Sequence, residues 1–125
     1  MGGGEAADRG DPSRKAEVTR SRALSPEGRL EVARAAAWYE AERPGLGTDF
    51  LDETERLLAR IESGAVQFPV VERNVRRGLM RRFPYAAYFT ETAASVFILA
   101  VIHLHRHPDA WRARAEPGAS EDDGA

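Results

Sequence analysis

The sequence predicts an α+β domain of two layers, in which an N-terminal helical hairpin packs on a small antiparallel sheet. Between about residues 26 and 63 the apolar residues recur at helical spacing, and after about residue 75 they alternate with a period of two or form short apolar runs. Helices followed by consecutive strands are typical of the α+β class. The chain has 125 residues, 42% of them hydrophobic, which suits one small core and leaves no room for a second domain.

The predicted domain spans residues 18–114 and lies between two polar segments. Residues 1–17 and 115–125 contain almost no large apolar side chains, so they cannot offset the entropy cost of ordering and are predicted to be disordered. The second of these segments is acidic. Within the domain, Val18 to Leu24 alternates weakly and predicts a short edge strand.

Two helices are predicted next. Ser25 and Pro26 form a helix start, with an N-cap hydroxyl followed by proline at the first helical position. The apolar residues that follow at helical spacing are Leu30, Ala33, Ala37, Trp38 and Ala41. Pro44-Gly45 ends this helix, and a second one begins near Leu46 and ends at Gly64. The second helix has a continuous apolar stripe of Phe50, Leu51, Thr54, Leu57, Leu58 and Ile61. Because the turn between the helices is short, they must form an antiparallel hairpin.

Three strands with short connections are predicted after the hairpin, as an antiparallel meander. The first contains Val75, Leu79 and Phe83, and the second runs from Tyr85 to Phe89. The third, from Val96 to Ile102, is apolar at every position, which is typical of a central strand covered on both faces.

Charge is nearly balanced overall but unevenly distributed. The net charge is −2, from 18 basic and 20 acidic residues. Residues 73–114 contain only two acids, Glu91 and Asp109, and so predict a local basic field. The arginines of this segment are Arg73, Arg76, Arg77, Arg81, Arg82, Arg106, Arg112 and Arg114. With no cysteine, no apolar signal segment and no run of roughly 18 apolar residues, we expect a cytoplasmic protein with no membrane association.

An ordered series of short motifs gives this pattern a family resemblance. The series comprises Ala37-Trp38-Tyr39-Glu40, Pro44-Gly45-Leu46-Gly47, Phe50-Leu51, Phe68-Pro69, Val75-Arg76-Arg77, Arg82-Phe83-Pro84-Tyr85, Tyr88-Phe89 and Leu99 to His103, with Arg106, Pro108 and Trp111. From about Val18 to Arg114 the chain resembles the RelE/ParE superfamily of toxins from type II toxin-antitoxin systems, and is closer to the ParE branch.

The resemblance implies a bacterial growth-inhibiting toxin that a cognate, ParD-like antitoxin neutralises by covering its working face with a C-terminal segment. The ParE branch implies poisoning of DNA gyrase without enzymatic chemistry. The RelE branch implies cleavage of mRNA on the ribosome. A diverged interaction domain without toxicity is a third alternative, and a homodimer or a heterotetramer with antitoxin is the expected assembly. No cofactor is predicted.

Nuclease chemistry needs a general base, a general acid and cations for the phosphorane charge. RelE-type nucleases carry a tyrosine or a His-Tyr pair near the C-terminus, whereas this chain has Trp111 there and no tyrosine after Tyr88. The sequence therefore favours gyrase poisoning and no catalytic residues. If the chain is a nuclease, Arg82, His103 and Arg106 are the candidates.

The residues expected to bind the target or the antitoxin lie on the predicted arginine-rich strand and beyond it. They are Arg76, Arg77, Arg81, Arg82, Tyr85, Tyr88, His103, Arg106 and Trp111. Strand parity splits the arginines, because Arg77 and Arg81 share parity with Val75, Leu79 and Phe83. Arg76 and Arg82 should face outward, whereas Arg77 and Arg81 either pair inside with Glu53, Glu55 or Glu62 or are re-aimed by a bulge at Gly78.

Three further residue groups each allow two interpretations. His103, His105 and His107 would share one face of an extended strand, as a zinc site requires, but Pro108 predicts that the strand ends nearby and no metal is expected. Trp38 and Tyr39 are assigned to the seam between hairpin and sheet. Trp111, flanked by arginines, either anchors a partner or folds back to close the core.

Overall fold

A computed structural model describes residues 20–106 together with Trp111, Arg112 and Arg114. Its strands and helices in chain order are β1 (Ser21–Leu24), α1 (Pro26–Glu42), α2 (Leu46–Ser63), β2 (Val70–Glu72), β3 (Val75–Leu79), β4 (Tyr85–Glu91) and β5 (Ser95–His103). The segments predicted to be disordered, 1–17 and 115–125, lie outside the described residues. Among those residues, neither helix combines the length and apolar content needed to cross a bilayer.

The two helices form the predicted hairpin, and their ends have clear causes. The Ser25 hydroxyl accepts a hydrogen bond from Gly28 N at 2.9 Å, which caps α1. Gly45 takes a left-handed conformation with φ +90° in the turn, and Gly64 does so with φ +72° after α2. The Glu40 carboxylate accepts hydrogen bonds from Gly45 N and Gly47 N at the start of α2, where a negative charge is favourable.

The sheet is mixed and has five strands in the order β1-β5-β4-β3-β2. β1 pairs in parallel with β5, which confirms the short N-terminal edge strand, and the other pairs are antiparallel. The predicted three-strand meander is present as β3, β4 and β5, while β2 was not predicted because three residues are too few for a pattern. β5 is an interior strand as expected, but the central strand of the five-stranded sheet is β4.

The helices cover one face of the sheet, and the main core lies between the helices and the sheet. Five of the six residues of the predicted α2 stripe are buried, and only Leu51, at 45% exposure, is not. Tyr39 packs in an aromatic cluster with Phe50, Phe83 and Tyr85, with ring centroids 4.8–6.1 Å apart, as predicted for the seam. Trp38 contacts Tyr39 edge-on but is 58% exposed, so its assignment to the seam was wrong.

The opposite face of the sheet, here called the second face, has its own smaller core. It contains Val75, Ala86, Tyr88, Leu99, Ala100, Ile102 and Trp111. A register shift beside Tyr88 and Phe89 leaves Leu99 as an extra residue in β5, so Ile98 faces the helices, Ala100 the second face and Val101 the helices again. β5 is therefore covered on both faces over most of its length, although Phe97 is 41% exposed.

Candidate functional site

The arginine-rich strand is arranged differently from the parity prediction. β3 and β4 pair in regular register from Arg76↔Phe89 to Leu79↔Ala86, so there is no bulge at Gly78. Gly78 faces the helices instead, where an added Cβ would lie 3.1 Å from both Leu57 and Phe68. Val75 and Arg77 consequently share the second face, and Leu79 is 49% exposed. The predicted parity holds for Val75, Arg77 and Leu79 within β3, but on the face opposite the helices, because the second core was not foreseen. It does not extend to Arg81 and Phe83: β3 ends at Leu79, and Phe83 packs in the main core under the helices.

Arg76 was predicted to face outward, and this prediction was wrong. Its Nε lies 2.8 Å from a Glu91 carboxylate oxygen, and its Nη1 donates to the Phe68 carbonyl. Glu91 also accepts a 2.8 Å hydrogen bond from Arg20, whose guanidinium donates further to the Ile61 and Glu62 carbonyls at the end of α2. Arg76 therefore belongs to a network that joins the sheet to the α2 C-terminus.

Arg77 and Arg81 do not form the predicted internal ion pairs. Arg77 is half-buried on the second face, and its Nε has no hydrogen-bond partner among the described residues. Arg81 lies after the end of β3 and is exposed. Burial and, after it, the charge of Arg81 lower the pKa of the Arg60 guanidinium, against an opposing effect of Glu53. No carboxylate of the described chain pairs with Arg81.

The acidic residues expected as partners serve other arginines. Arg82, in a left-handed turn with φ +74°, lies 3.5 Å from Asp49 and 3.6 Å from Glu53 while remaining 55% exposed. Glu55 and Glu62 both pair with Arg22 of β1. The predicted carboxylates therefore pair with Arg22 and Arg82 and not with Arg77 or Arg81, and these pairs tie the edge strand and the 81–84 turn to α2.

Trp111 folds back onto the sheet. It is 3% exposed and stacks on Tyr88, with ring centroids 5.1 Å apart and planes inclined by 17°. Tyr88 and Trp111 thus cover the second face. The structure confirms the interpretation in which Trp111 folds back to close the core. Neither side chain is free to insert into a partner.

Three predicted site residues do come together, at the end of the sheet beside α1. Tyr85 and His103 are register partners with ring centroids 5.3 Å apart, and Arg106 acts electrostatically on Tyr85. They form one wall of an open groove of about 440 Å³, here called the α1 groove. Burial and the neighbouring Tyr39 raise the pKa of the Tyr85 phenol, against an opposing effect of Arg106.

The floor of the α1 groove is the edge of β5 beyond the end of β1. Because β1 stops at Leu24, the backbone of β5 from Leu99 onward has no strand neighbour on that side. The Ser25 hydroxyl and Arg114 donate to the Leu99 carbonyl at 2.8 and 2.9 Å, and Glu31 accepts from Val101 N at 3.0 Å. Glu31 also pairs with Arg114 at 3.0 Å. These polar contacts fix the rotation of α1 about its axis.

That rotation gives the groove a second wall that sequence reasoning missed. The residues of α1 that face the sheet are Val32, Ala35, Ala36 and Tyr39, whereas all five residues of the predicted apolar series are exposed. Leu30 and Trp38, at 48% and 58% exposure, line the groove with Arg34 between them. Alanines surround most of this helix, so its apolar pattern does not determine which side is buried. The spacing of Leu30, Arg34 and Trp38 at intervals of four residues was the one sequence signal that could have indicated this wall of the groove.

His105 and His103 do not extend a strand toward a metal. Residues 104 and 105 form a turn, and His105 N donates to His103 Nδ1 at 3.0 Å. Among the described residues there is no cluster of three or more potential metal ligands, and His107 lies outside them.

The described architecture, two helices on one face of a five-stranded mixed open sheet, is the RelE/ParE-like α+β fold, as predicted. It is similar to a chain in a solved structure of the chromosomal ParDE TA system from P. aeruginosa, with a TM-score of 0.57 and 16% sequence identity. The similarity covers 68% of this chain and 96% of that chain. No protein-family model matches the sequence. The curated proteins contain no match either.

Proposed function

We propose that this chain is the toxin of a type II toxin-antitoxin pair, that it inhibits bacterial growth by poisoning DNA gyrase, and that a ParD-like antitoxin neutralises it. The observation that carries the proposal is the similarity in fold to a chain of a ParDE system over 96% of that chain's length. The motif series of the sequence supports the same assignment. The surface we assign to the target is basic and includes Arg81 and Arg106, which are exposed and have no ion pair within the described residues.

The chemistry of the α1 groove supports a mode of action without catalysis. A tyrosine can act as a general base only after its phenol has lost its own proton. Because burial raises the pKa of the Tyr85 phenol, the ionised form is even rarer at neutral pH and Tyr85 is a poor general base. The hydrogen bond from His105 N occupies the Nδ1 lone pair of His103, so in the neutral imidazole the proton sits on Nε2. Neither group is poised to deprotonate an RNA 2'-hydroxyl in this conformation.

Cleavage of mRNA on the ribosome is the second candidate, and one observation favours it. Tyr85, His103 and Arg106 lie together at an open groove, which provides a phenol, an imidazole and a cation within one site. The third nuclease candidate, Arg82, is bound to Asp49 and Glu53 on α2 and does not line this groove.

Induction of the chain in a bacterial host distinguishes the two mechanisms. For a gyrase poison we expect growth arrest with a DNA-damage response, and the purified protein should inhibit supercoiling or trap cleaved DNA. For a nuclease, primer extension should reveal codon-linked cuts in translated messages, and Tyr85→Phe with His103→Ala should abolish them. Normal growth together with normal gyrase activity at micromolar protein would contradict both mechanisms.

A further inference from the structure

We infer that four arginines beside α2, here called the α2 arginine cluster and formed by Arg56, Arg60, Arg81 and Arg82, bind a dianionic phosphate group between the guanidiniums of Arg60 and Arg81. The ligand class is a phosphomonoester or free phosphate. The inference goes beyond the proposed function and does not rest on it, because phosphate binding can be measured whatever the chain does to gyrase.

The first step is the contact between α2 and the 81–84 turn. Arg82 lies 3.5 Å from Asp49 and 3.6 Å from Glu53, and Glu53 also accepts a hydrogen bond from Arg56 at 2.9 Å. Glu53 is 6% exposed, so its carboxylate holds the turn in one position against the helix. Both acids of the cluster therefore already have arginine partners.

The second step concerns the two remaining cations. Arg60 follows Arg56 by one helical turn and is partly buried, and Arg81 precedes Arg82 in the turn and is exposed. Within the described part of the chain, no carboxylate forms an ion pair with either of them. Burial and then the charge of Arg81 lower the pKa of the Arg60 guanidinium, and Glu53 opposes them only in part. The two guanidiniums therefore repel each other, and an anion between them would remove that repulsion.

The third step is the charge of the ligand. Four arginines share two carboxylates, which leaves the cluster with two uncompensated positive charges. A phosphomonoester carries nearly two negative charges at neutral pH and has three acceptor oxygens, whereas a carboxylate or a phosphodiester carries one charge. Because a guanidinium donates two parallel hydrogen bonds to such oxygens, Arg60 and Arg81 together match a dianionic phosphate.

The site is accessible and separate from the α1 groove. The side chains of Arg56 and Arg82 are 64% and 55% exposed, and Arg81 is exposed as well. None of the four arginines lines the α1 groove. A phosphate group can therefore approach the cluster from solvent without displacing any part of the described fold.

The experiment uses the full chain and four small anions. Inorganic phosphate and phenyl phosphate are the dianions, dimethyl phosphate and acetate are the monoanions, and each is titrated by calorimetry at about pH 8 and constant ionic strength. We expect the dianions to bind and the monoanions to bind at least about tenfold more weakly. Tighter binding of phenyl phosphate would support a phosphomonoester as the ligand, and tighter binding of inorganic phosphate would support free phosphate. Equal binding of all four anions, or of none, overturns the inference.

Substitutions locate the binding site. Arg60→Gln and Arg81→Gln should each weaken phosphate binding by about tenfold or more, and both should stay folded because each removes a repulsive charge. Arg60→Lys keeps the charge without the guanidinium fork and should bind with intermediate affinity. Arg29→Gln is the matched control and should bind as the wild type does, because Arg29 is an exposed arginine of α1.

Urea denaturation of each variant separates binding from folding. If Arg60→Gln does not fold, Arg81→Gln at its exposed turn position decides alone. Unchanged phosphate affinity in folded Arg81→Gln, or an equal loss in Arg29→Gln, would contradict the inference. Phosphate binding in a chain that leaves gyrase unaffected would refute only the proposed function, and gyrase inhibition without phosphate binding would refute only this inference.

Discussion

Gly47 has a steric role at the start of α2. An added Cβ there would lie 2.6 Å from the Ala36 carbonyl oxygen and 2.9 Å from the Glu40 side chain, and the backbone of α1 cannot move away cheaply. We expect Gly47→Ala to lower the free energy of unfolding by about 1–3 kcal/mol through overpacking. Urea denaturation measures the change. Thr48→Ala, at the exposed neighbouring position, should change it by less than about 0.5 kcal/mol, and equal effects would contradict the steric explanation.

Glu55 gives the stability a defined pH dependence. Its hydrogen bonds to Arg22 lower the pKa of the carboxyl below the ordinary value of 4.5, partly opposed by desolvation. Since the folded pKa is depressed, the stabilisation is complete above the unfolded value and disappears as pH falls through the folded value. Glu55→Gln should therefore be less stable than the wild type at pH 7 and equally stable well below pH 4. Because Glu55 is 62% exposed, the difference should also shrink in high salt.

Denaturation at a series of pH values measures this dependence. Asp52→Asn, an exposed neutralisation on the same helix, is the matched control and should not show the same convergence at low pH. A stability difference for Glu55→Gln that persists unchanged to pH 3 would contradict the assignment to the Arg22 pair.

At the scale of the elements, β1 is attached mainly by polar contacts. Arg20 donates to the Ile61 and Glu62 carbonyls at the α2 C-terminus, to Thr92 and to Glu91, and Arg22 pairs with Glu55 and Glu62. Arg22 and Leu24, the two β1 residues whose side chains lie on the helix side of the sheet, remain partly exposed. The strand is therefore expected to open more readily than the interior strands.

Arg20→Ala tests this attachment. We expect amide protection in β1 and in the Ser25 N–H, which bonds to the Ile98 carbonyl at 2.9 Å, to fall by at least about tenfold, while protection in β4 changes little. Native-state hydrogen exchange measures both elements in one experiment. Arg29→Ala, an exposed arginine on α1, is the control. Uniform loss of protection across β4 and β1 would show that the strand opens only with the whole domain.

We predict a large loss of stability when one tryptophan is replaced and almost none when the other is. Trp111 covers Tyr88 and the rest of the second face at 3% exposure, so Trp111→Ala should lower the free energy of unfolding by about 3–5 kcal/mol. Trp38, at 58% exposure, should change it by less than about 0.5 kcal/mol when replaced by Ala. Denaturation and binding of a hydrophobic dye report the effect. Similar losses for both variants would contradict the placement of Trp111.

These elements also show which parts of the fold the sequence could predict. Proline, glycine and a continuous apolar stripe placed α2 and its ends correctly, because each of these signals acts within a few residues. The rotation of α1 depends instead on Ser25 and Glu31 contacting β5, more than 60 residues away in sequence. The side of the sheet on which each arginine of β3 lies could likewise be assigned only if the core of the second face were known. Trp111 completes that core from the far end of the domain.

At the scale of the molecule, the charge segregation of the sequence resolves into two classes of arginine. Arg20, Arg22, Arg76 and Arg114 join elements through carboxylates and backbone carbonyls of distant segments. Arg34, Arg81 and Arg106 are exposed and have no ion pair within the described residues. The first class ties elements of the fold together, and the second is open to solvent. The arginines of residues 73–114 therefore do not form one uniform exposed basic surface.

This division predicts different outcomes for two neighbouring arginines. Arg76→Ala removes contacts with Glu91 and the Phe68 carbonyl and should lower the free energy of unfolding by about 1–3 kcal/mol. Arg81→Ala relieves its repulsion of Arg60 and should leave stability unchanged or slightly higher. If the chain poisons gyrase through its exposed cations, Arg81→Ala should weaken inhibition of supercoiling about tenfold, whereas Arg76→Ala should retain the wild-type potency per folded molecule.

Supercoiling assays at equal concentrations of folded protein, with stability measured in parallel, separate the two effects. Arg29→Ala is the matched control, since it removes an exposed arginine from the outer surface of α1 without touching the 81–84 turn. Full potency of Arg81→Ala together with a loss of potency in stably folded Arg76→Ala would reverse the two assignments, because the paired arginine would then act on the target and the exposed one would not.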